Sequence, residues 1–191
     1  MKGKGLSFDV IVQTAMRLVN EKGYGKFSAR ELASELNVKA ASLYNHLGSM
    51  DEVNVGIGRI AAEMQNRLLQ EAAEKGSRKQ AFTDFCRAYR DFAKSNYQLY
   101  LAILAIPFLD QGEAAEETSR EIAVTFRRII DLFELSETDK IHYTRFVRSL
   151  LDGFLQMEMA GGPVSDDVTM EDSFSFIIDR QLRMLEEAEK K

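Results

Sequence analysis

Length, composition and charge restrict the class of protein before any motif is considered. The chain has 191 residues, of which 45% are hydrophobic and 29% charged, which is typical of a folded globular protein. Residues 1–50 hold seven basic and four acidic side chains, whereas the rest holds 18 basic and 26 acidic ones. The net charge of −5 argues against indiscriminate binding of nucleic acid by the whole chain. The excess of basic residues in residues 1–50, followed by an acidic remainder, favours a first domain that binds DNA.

The cysteine content and the lengths of the apolar segments argue against a disulfide-rich, secreted or membrane-spanning protein. The single cysteine, Cys86, predicts no disulfide framework and no cysteine metal site, and it favours a reducing cytoplasm. The first ten residues lack the apolar segment of a signal peptide. No window approaches the ~18 uninterrupted apolar residues of a membrane span, so no membrane partner is expected. Only two prolines interrupt a chain of helical periodicities, which predicts an all-α fold.

The first predicted helix begins after an N-cap at Ser7 and runs to Lys22. Two short helices follow in the segment FSARELASELNVKAASLYNHLGSMDEV, residues 27–53. Ser28, with Glu31 three residues later, has the capping-box spacing that opens the first of them. Asn37 lies where that helix must end, and Asn tolerates the left-handed backbone that a sharp turn requires.

The second short helix is predicted over about residues 40–47, with Leu43 and Leu47 facing inward. Its outer face would carry small or polar side chains. This is the outline of a helix-turn-helix whose second helix enters a DNA major groove. Short helical hairpins without a DNA role share the outline, so spacing alone leaves both interpretations open.

The residues of this segment carry a resemblance to a known family. Ser28-Ala29-Arg30-Glu31-Leu32-Ala33, then Asn37-Val38, then Ser42-Leu43-Tyr44-Asn45-His46-Leu47 resemble the DNA-binding signature of the TetR/AcrR transcriptional regulators. The resemblance implies an N-terminal three-helix helix-turn-helix domain over residues 1–50. It also implies a helical domain over residues 51–191 that binds an effector and dimerises, giving about nine helices in all.

The DNA-binding interpretation assigns a role to each exposed side chain of the segment. Hydroxyls suit phosphate oxygens, Arg and Lys suit phosphate or a guanine edge, small side chains suit thymine methyls, and Asn or His suits either. The candidates are Ser28, Arg30, Lys39, Ala40, Ala41, Ser42, Tyr44, Asn45 and His46. The family commonly has Lys or Arg where Met50, followed by Asp51 and Glu52, opens the next helix, which puts tight DNA binding in doubt.

The remainder of the chain predicts long amphipathic helices. Gly56 and Gly58 lie near the start of the first of them, where close packing is the simpler explanation and a bending point the alternative. Pro107 is expected to end a short apolar helix. Ser136 and Thr169 are expected to cap the last two helices. The predicted helices cover about residues 50–75, 78–94, 96–106 and 137–160, and a final helix begins at residue 170. Another helix has its buried apolar stripe over residues 122–133, and residues 110–118 are expected to form a loop or a loose helix start.

The last two helices carry a second resemblance. Arg145-x-x-Arg148-Ser149-Leu150-x-x-Gly153-Phe154-x-x-x-Glu158, Gly161-Gly162 and Ser173-Phe174 resemble the C-terminal domain of one subset of the same family. In that family these helices pair with their copies in a four-helix interface, which implies a homodimer. The expected interface residues are Leu151, Leu155, Ile178 and Leu182. Burial of this apolar segment in the chain's own core is the alternative.

The resemblance also implies a cavity for a small, mainly apolar effector. Expected lining residues, with tyrosine hydroxyls as polar handles, are Phe85, Tyr89, Tyr97, Tyr100, Phe126 and Phe154. Ordinary core packing explains most aromatic residues equally well. The sequence therefore predicts a regulator, most simply a repressor that binds a palindromic operator on double-stranded DNA and is released by its effector. The alternative within the family is a ligand-binding dimer with weak or no DNA binding.

An all-helical enzyme is the competing class of protein. Cys86 and His142 are 56 residues apart with no local signature around either. No Gly-rich phosphate loop and no Glu-x-x-His metal arrangement occurs in the sequence. We therefore expect no catalytic residues, no metal and no cofactor.

Overall fold

A computed structural model describes residues 5–74, 76–109, 112–162 and 165–190. Over these ranges the chain contains helices and no strand, and the predicted all-α fold of about nine helices is confirmed. The helices are α1 Phe8–Lys22, α2 Ala29–Glu35, α3 Ala40–Leu43, α4 Met50–Ala73, α5 Arg78–Ser95, α6 Tyr97–Leu109, α7 Glu113–Ile130, α8 Glu137–Met159 and α9 Met170–Ala188.

Most helix starts lie where the local sequence predicts them. The Ser7 hydroxyl accepts a bond from the Val10 N–H, and the Ser136 hydroxyl accepts one from the Asp139 N–H at 3.1 Å. Thr169 opens α9 with a reciprocal capping box. Each side-chain oxygen satisfies one of the N–H groups that a helix start leaves unpaired, which is why these boundaries were predictable.

Two helix ends differ from prediction. α3 ends at Leu43 instead of continuing to residue 47, because tighter i→i+3 bonds such as His46 N–H to the Leu43 carbonyl at 2.8 Å replace α-helical ones. α6 continues through Pro107 to Leu109, so the predicted stop at residue 106 was wrong. A proline removes one hydrogen bond, but its fixed φ suits a helix, and the last turn can tolerate the loss.

The polar segment 110–118 mostly forms the beginning of a helix. Residues 110 and 111 lie outside the described residues, and α7 begins at Glu113, which confirms the helix-start alternative for the described part. The buried stripe predicted for α7 is confirmed from Ile122 to Ile130.

By packing, the chain divides into two compact units, which lie within residues 1–64 with 96–120 and within residues 65–95 with 121–191. In the first unit, a Cβ added to Gly56 would approach Val12 to 2.8 Å, and one added to Gly58 would approach the Ala102 carbonyl oxygen to 2.7 Å. Both glycines therefore permit close packing, as predicted. This packing explains why the beginning of α4 belongs to the same compact unit as α1 and α6.

The second unit contains a buried ion cluster that joins three helices. Arg90 of α5 donates two bonds to Glu158 of α8, at 2.8 and 2.6 Å, and one to Glu171 of α9. The Arg90 guanidinium also lies 4.5 Å from the centre of the Phe174 ring. The paired Arg90 lowers the pKa of the Glu158 carboxyl, opposed by burial. The sequence analysis missed this cluster, although Arg90 follows Cys86 by one helical turn and so lies on the buried stripe of α5.

Candidate nucleic-acid interface

A network of short-range bonds fixes the start of α2. The Ser28 hydroxyl accepts a bond from the Glu31 N–H at 3.2 Å, and the Glu31 carboxylate accepts bonds from the Ser28 N–H and hydroxyl at 2.8 Å each. The predicted capping box is therefore present. The Lys22 ammonium donates to the same carboxylate at 2.6 Å and ties α1 to α2, a bond that was not predicted. The Lys22 bond, followed by those from Ser28, lowers the pKa of the Glu31 carboxyl to about 2.

The turn between α2 and α3 has the predicted backbone geometry. Asn37 has a φ of 53°, in the left-handed region, and its N–H donates to the Ser34 carbonyl at 3.0 Å. The Val38 N–H returns to the Ala33 carbonyl at 2.9 Å. These bonds satisfy carbonyls that the end of α2 would leave unpaired, and they fix the direction in which the chain enters α3.

The segment from Lys39 to His46 presents polar and small side chains to solvent. Tyr44 is 52% exposed, Asn45 and His46 are exposed beside it, and Leu43 is fully buried as the anchor of α3. Ala41 is exposed, while Ala40 and Ser42 are half-buried. Because the Tyr44 side chain is half exposed, its hydroxyl can reach a partner outside the chain.

Arg30 and Lys39 line one depression between α2 and the start of α3. The depression has a volume of about 470 Å³, and both cationic side chains are exposed without an ion pair among the described residues. Two unpaired cations on one concave surface suit a phosphate group. The Ser28 hydroxyl proton is committed to Glu31, so a contact from Ser28 to phosphate would require the loss of that bond.

The acidic start of α4 has a partly structural explanation. The Glu52 carboxylate accepts a bond from the Gly48 N–H at 2.8 Å, and the Ser49 hydroxyl accepts one from the Glu52 N–H at 3.3 Å. Ser49 therefore caps the start of α4, while the bond to the Glu52 side chain comes from the N–H of Gly48 and not from that of Ser49. Asp51 is exposed and Met50 is half-buried. Because Asp51 is acidic and Met50 uncharged, neither supplies a cation at this helix start.

The residues expected to line an effector cavity belong to different environments. In the second unit Phe126 contacts Phe85 and Tyr89 at ring-centre distances of 5.2 and 5.3 Å, and all three side chains are buried. Phe154 is also buried in that unit. Tyr97 and Tyr100 belong to the first unit, where Tyr100 is fully buried and Tyr97 half-buried.

The residues expected to form the dimer interface are covered by their own chain. Leu151 and Leu155 are fully buried, and Ile178 and Leu182 are 3% and 2% exposed. The prediction of these four as interface residues needs correction, because side chains without accessible surface cannot contact a partner. Burial in the chain's own core, the alternative considered from the sequence, describes their position.

A neighbouring face of α8 and α9 does expose apolar surface. An open groove of about 480 Å³ is lined there by Leu150, Gly153, Met157 and Ile177, among others. A Cβ added to Gly153 would meet nothing within 4 Å. Nearby along α9, Phe176 is 59% exposed. The signal in the sequence was that α8 is apolar on more than one face, which a single core does not require.

Neither side chain considered for catalysis has a suitable setting. Cys86 is fully buried, and burial raises the pKa of its thiol, which disfavours the reactive thiolate. His142 lies on the surface of α8. Across the part of the chain that the structure describes, no three His, Cys, Asp or Glu side chains form a group that could hold a metal.

Comparison with known proteins decides the family. The family described as "Bacterial regulatory proteins, tetR family" matches residues 11–53, and "Tetracyclin repressor-like, C-terminal domain" matches residues 82–181. The chain belongs to the TetR family of transcriptional regulators. The resemblance found in its helix-turn-helix is thereby confirmed, and this family consists of regulators and not of enzymes.

Relatives and solved structures agree with membership of the TetR family. The uncharacterized HTH-type transcriptional regulator YobS of Bacillus subtilis (strain 168) is 28% identical over 153 residues, 78% of each chain. A protein of unknown function from Rhodococcus sp. RHA1 has the same fold, with a TM-score of 0.79 and 16% identity over 96% of this chain and 97% of its own. AibR, solved with isovaleryl coenzyme A and operator DNA, has a TM-score of 0.61 and 14% identity over 90% and 95%.

The length and hydropathy of the described helices can be compared with those of a membrane span. None of them is both long and apolar enough to cross a bilayer.

Proposed function

We propose that this chain is a ligand-responsive repressor that binds a palindromic DNA operator as a homodimer in the cytoplasm. The observation that carries the proposal is the exposed surface from Lys39 to His46, held by a capped α2 and a left-handed Asn37. Such a surface of small and polar side chains, with a half-exposed tyrosine among them, is suited to insertion into a major groove.

Individual side chains have distinct roles in this proposal. Arg30 and Lys39 bind phosphate or a guanine edge from the depression that they share. Ala40 and Ala41 approach thymine methyls, and Ser42 and Asn45 donate hydrogen bonds to bases or phosphate. Tyr44 and His46 hold the DNA backbone, and Ser28 contacts phosphate only at the expense of its bond to Glu31. Phosphate contacts fix the register, while base contacts supply specificity.

The homodimer is proposed to form through the exposed face of α8 and α9. The groove at Leu150, Gly153, Met157 and Ile177 is apolar and open, and Gly153 leaves room for the close approach of a second helix. Two-fold symmetry would place two recognition helices one DNA turn apart, ~34–36 Å, on a palindromic site.

A small, mainly apolar effector is proposed to release the repressor from DNA. AibR, which was solved with both an acyl coenzyme A and operator DNA, shows that a protein of this fold can bind both kinds of ligand. An effector weakens DNA binding only through its different affinities for the two states, typically by about 1–3 kcal/mol. Phe85, Tyr89, Phe126 and Phe154 of the second unit are the expected apolar contacts, with Tyr97 and Tyr100 of the first unit as further candidates.

Binding of the purified protein to its own upstream DNA, titrated with salt, tests the proposal. We expect a site-specific complex whose affinity falls steeply with salt, because several phosphates are neutralised. Tyr44→Ala with His46→Ala should weaken the complex and leave the unfolding transition unchanged. Asp91→Asn, an exposed position of α5 outside the proposed DNA-binding surface, serves as the control. Unchanged operator affinity in the double variant would refute the assignment of the recognition surface.

One observation favours a second candidate, a ligand-binding dimer with weak or no DNA binding. α4 begins with Met50, Asp51 and Glu52 and offers no cation to a phosphate. Met50→Lys tests this candidate, because an added phosphate contact should raise operator affinity and steepen the salt dependence by about one unit. A chain that binds operator only after this substitution would support the second candidate over the first.

The dimer surface is tested by a pair of neighbouring substitutions. Leu150→Glu places a charge in the open groove, so we expect folded monomers by light scattering. Leu151→Glu places a charge in the core, so it should abolish folding whether or not the protein dimerises. A stable Leu150→Glu dimer would show that the interface lies elsewhere.

A further inference from the structure

A cavity in the second unit is open at one end and closed at the other. It has a volume of about 210 Å³ and lies between α4, α5 and α7. Glu74, Arg128 and Leu132 form its rim and are exposed, whereas Leu69, Phe85 and Thr125 at the opposite end are buried. The pocket is therefore open to solvent at one end and lined by buried, mainly apolar side chains at the other.

A buried hydrogen-bond acceptor lies on α4 about one helical turn before the residues that line the cavity. Asn66 precedes Leu69, Gln70 and Ala73 by three, four and seven residues, so it shares the stripe of α4 that lines the cavity. Asn66 is 8% exposed, and its Oδ1 has no hydrogen-bond partner among the described residues. Buried polar atoms are nearly always paired, so an unpaired one on the stripe that lines a cavity points to a ligand.

The second polar group of the cavity has the same character. The Thr125 hydroxyl lines the cavity and donates its proton to the Glu121 carbonyl at 3.1 Å. Its oxygen can therefore only accept a further bond. With the Asn66 Oδ1, two acceptors are available to the cavity, and the Gln70 amide in the lining can also accept, so the lining suits a ligand that brings a hydroxyl or an N–H.

Charge and size restrict the ligand further. The rim carries one cation and one anion, Arg128 and Glu74, and the buried cation of this unit, Arg90, is already paired with two carboxylates. No surplus charge favours an ionised ligand. A dry cavity of about 150 Å³ lined by Leu, Ile and Phe accommodates benzene, so 210 Å³ suits one ring with a small substituent. The Phe85 ring provides an aromatic surface for such a ring.

We propose that this cavity binds an uncharged single-ring molecule that carries a hydroxyl or N–H donor, the chemistry of phenol. The ring lies against Phe85, and the donor is directed toward Thr125 and Asn66. This inference rests on the proposed function, because it names the class of effector that the regulator responds to.

The test uses the full-length protein without DNA and three probes of similar size. Phenol, toluene and benzoate are compared by the shift of the unfolding temperature and by competition with 4-fluorophenol in ¹⁹F NMR. We expect phenol to bind about 3- to 10-fold more tightly than toluene, the factor of one net hydrogen bond, and benzoate to bind more weakly than either.

Two matched variants locate the hydrogen bond. Asn66→Leu combined with Thr125→Val removes both acceptors at nearly constant volume, so most of the preference for phenol over toluene should be lost. Gln181→Leu is the control, because Gln181 is a buried amide without hydrogen-bond partners among the described residues, on a helix that contributes no side chain to the cavity. This control should keep the preference for phenol.

Several outcomes would overturn the inference. These are equal binding of phenol and toluene by the parent protein, tighter binding of benzoate that Arg128→Gln abolishes, or no binding of any probe. Operator binding is measured separately. A chain that binds operator but no phenol contradicts only this inference, whereas a chain that binds phenol but no operator supports the cavity's ligand class and contradicts the proposed function.

Discussion

The helix-turn-helix and the packing of α5 against α8 and α9 are stabilised over very different distances along the chain. In the helix-turn-helix, Ser28 bonds to a residue three positions away, and Lys22 bonds to one nine positions away. In the other region, Arg90 bonds to carboxylates 68 and 81 positions away. A surface formed by local bonds can stay exposed and adaptable, whereas a buried charge is stable only when distant helices bring its partners together.

The largest expected effect lies in the long-range region. Arg90→Leu should lower the free energy of unfolding by about 3–5 kcal/mol, because it leaves Glu158 nearly buried without its main partner. Urea denaturation measures the change. The double variant Arg90→Leu with Glu158→Leu should recover most of the loss, since the charges that lose a partner, Glu171 and Lys94, are exposed to solvent. A double variant as unstable as the single one would show that packing, not charge pairing, gives Arg90 its importance.

A pair of glycine substitutions gives the next largest effect. Gly58→Ala should destabilise the first unit by about 1–3 kcal/mol, because its Cβ would collide with the Ala102 carbonyl. Gly153→Ala, made in the monomeric Leu150→Glu variant where its Cβ meets open space, should stabilise the folded chain by up to about 1 kcal/mol through helix propensity. Thermal unfolding at one fixed protein concentration compares them. Equal effects at both sites would contradict the packing described for α4.

The turn before α3 should respond to local backbone geometry alone. Asn37→Ala should cost about 1–2 kcal/mol, because Ala tolerates the left-handed conformation poorly. Asn37→Gly should cost little, since glycine adopts that conformation without strain. Chemical denaturation of the two variants separates side-chain bonding from backbone preference. A Gly variant as unstable as the Ala variant would indicate that the asparagine amide is essential.

The smallest effect concerns the pH dependence of the α2 cap. The pKa of Glu31 is lowered from 4.5 to about 2 in the folded chain, so its contribution to stability is present above the unfolded pKa and is lost as the pH falls through the interval between these values. Glu31→Gln should therefore destabilise the protein near neutral pH and differ little from the parent at about pH 2. Unfolding midpoints of both proteins across this range provide the measurement. A difference that stays constant with pH would refute the role assigned to the carboxylate.

The sequence predicted the helix-turn-helix better than the rest because its signals are local. Capping residues at Ser28 and Thr169 satisfy N–H groups only three residues away, so spacing alone revealed them. The left-handed residue was predictable because few residue types tolerate that conformation. By contrast, Pro107 misled the prediction of α6, since a proline near a helix end forbids one bond without dictating where the helix stops.

Tertiary structure decided which apolar side chains are available to partners. α8 reads as apolar on several faces, and the sequence could not distinguish Leu151, which is buried, from Leu150, which lines an open groove. Adjacent helical residues point about 100° apart, so their fate depends on where other helices pack. Likewise, the sequence does not distinguish Asn66 from the exposed polar residues of α4. Only the structure shows that it is buried and that its Oδ1 has no hydrogen-bond partner among the described residues. Sequence alone determined family, helices and caps, because these depend on short-range chemistry, while cores, grooves and cavities depend on contacts between residues far apart in the chain.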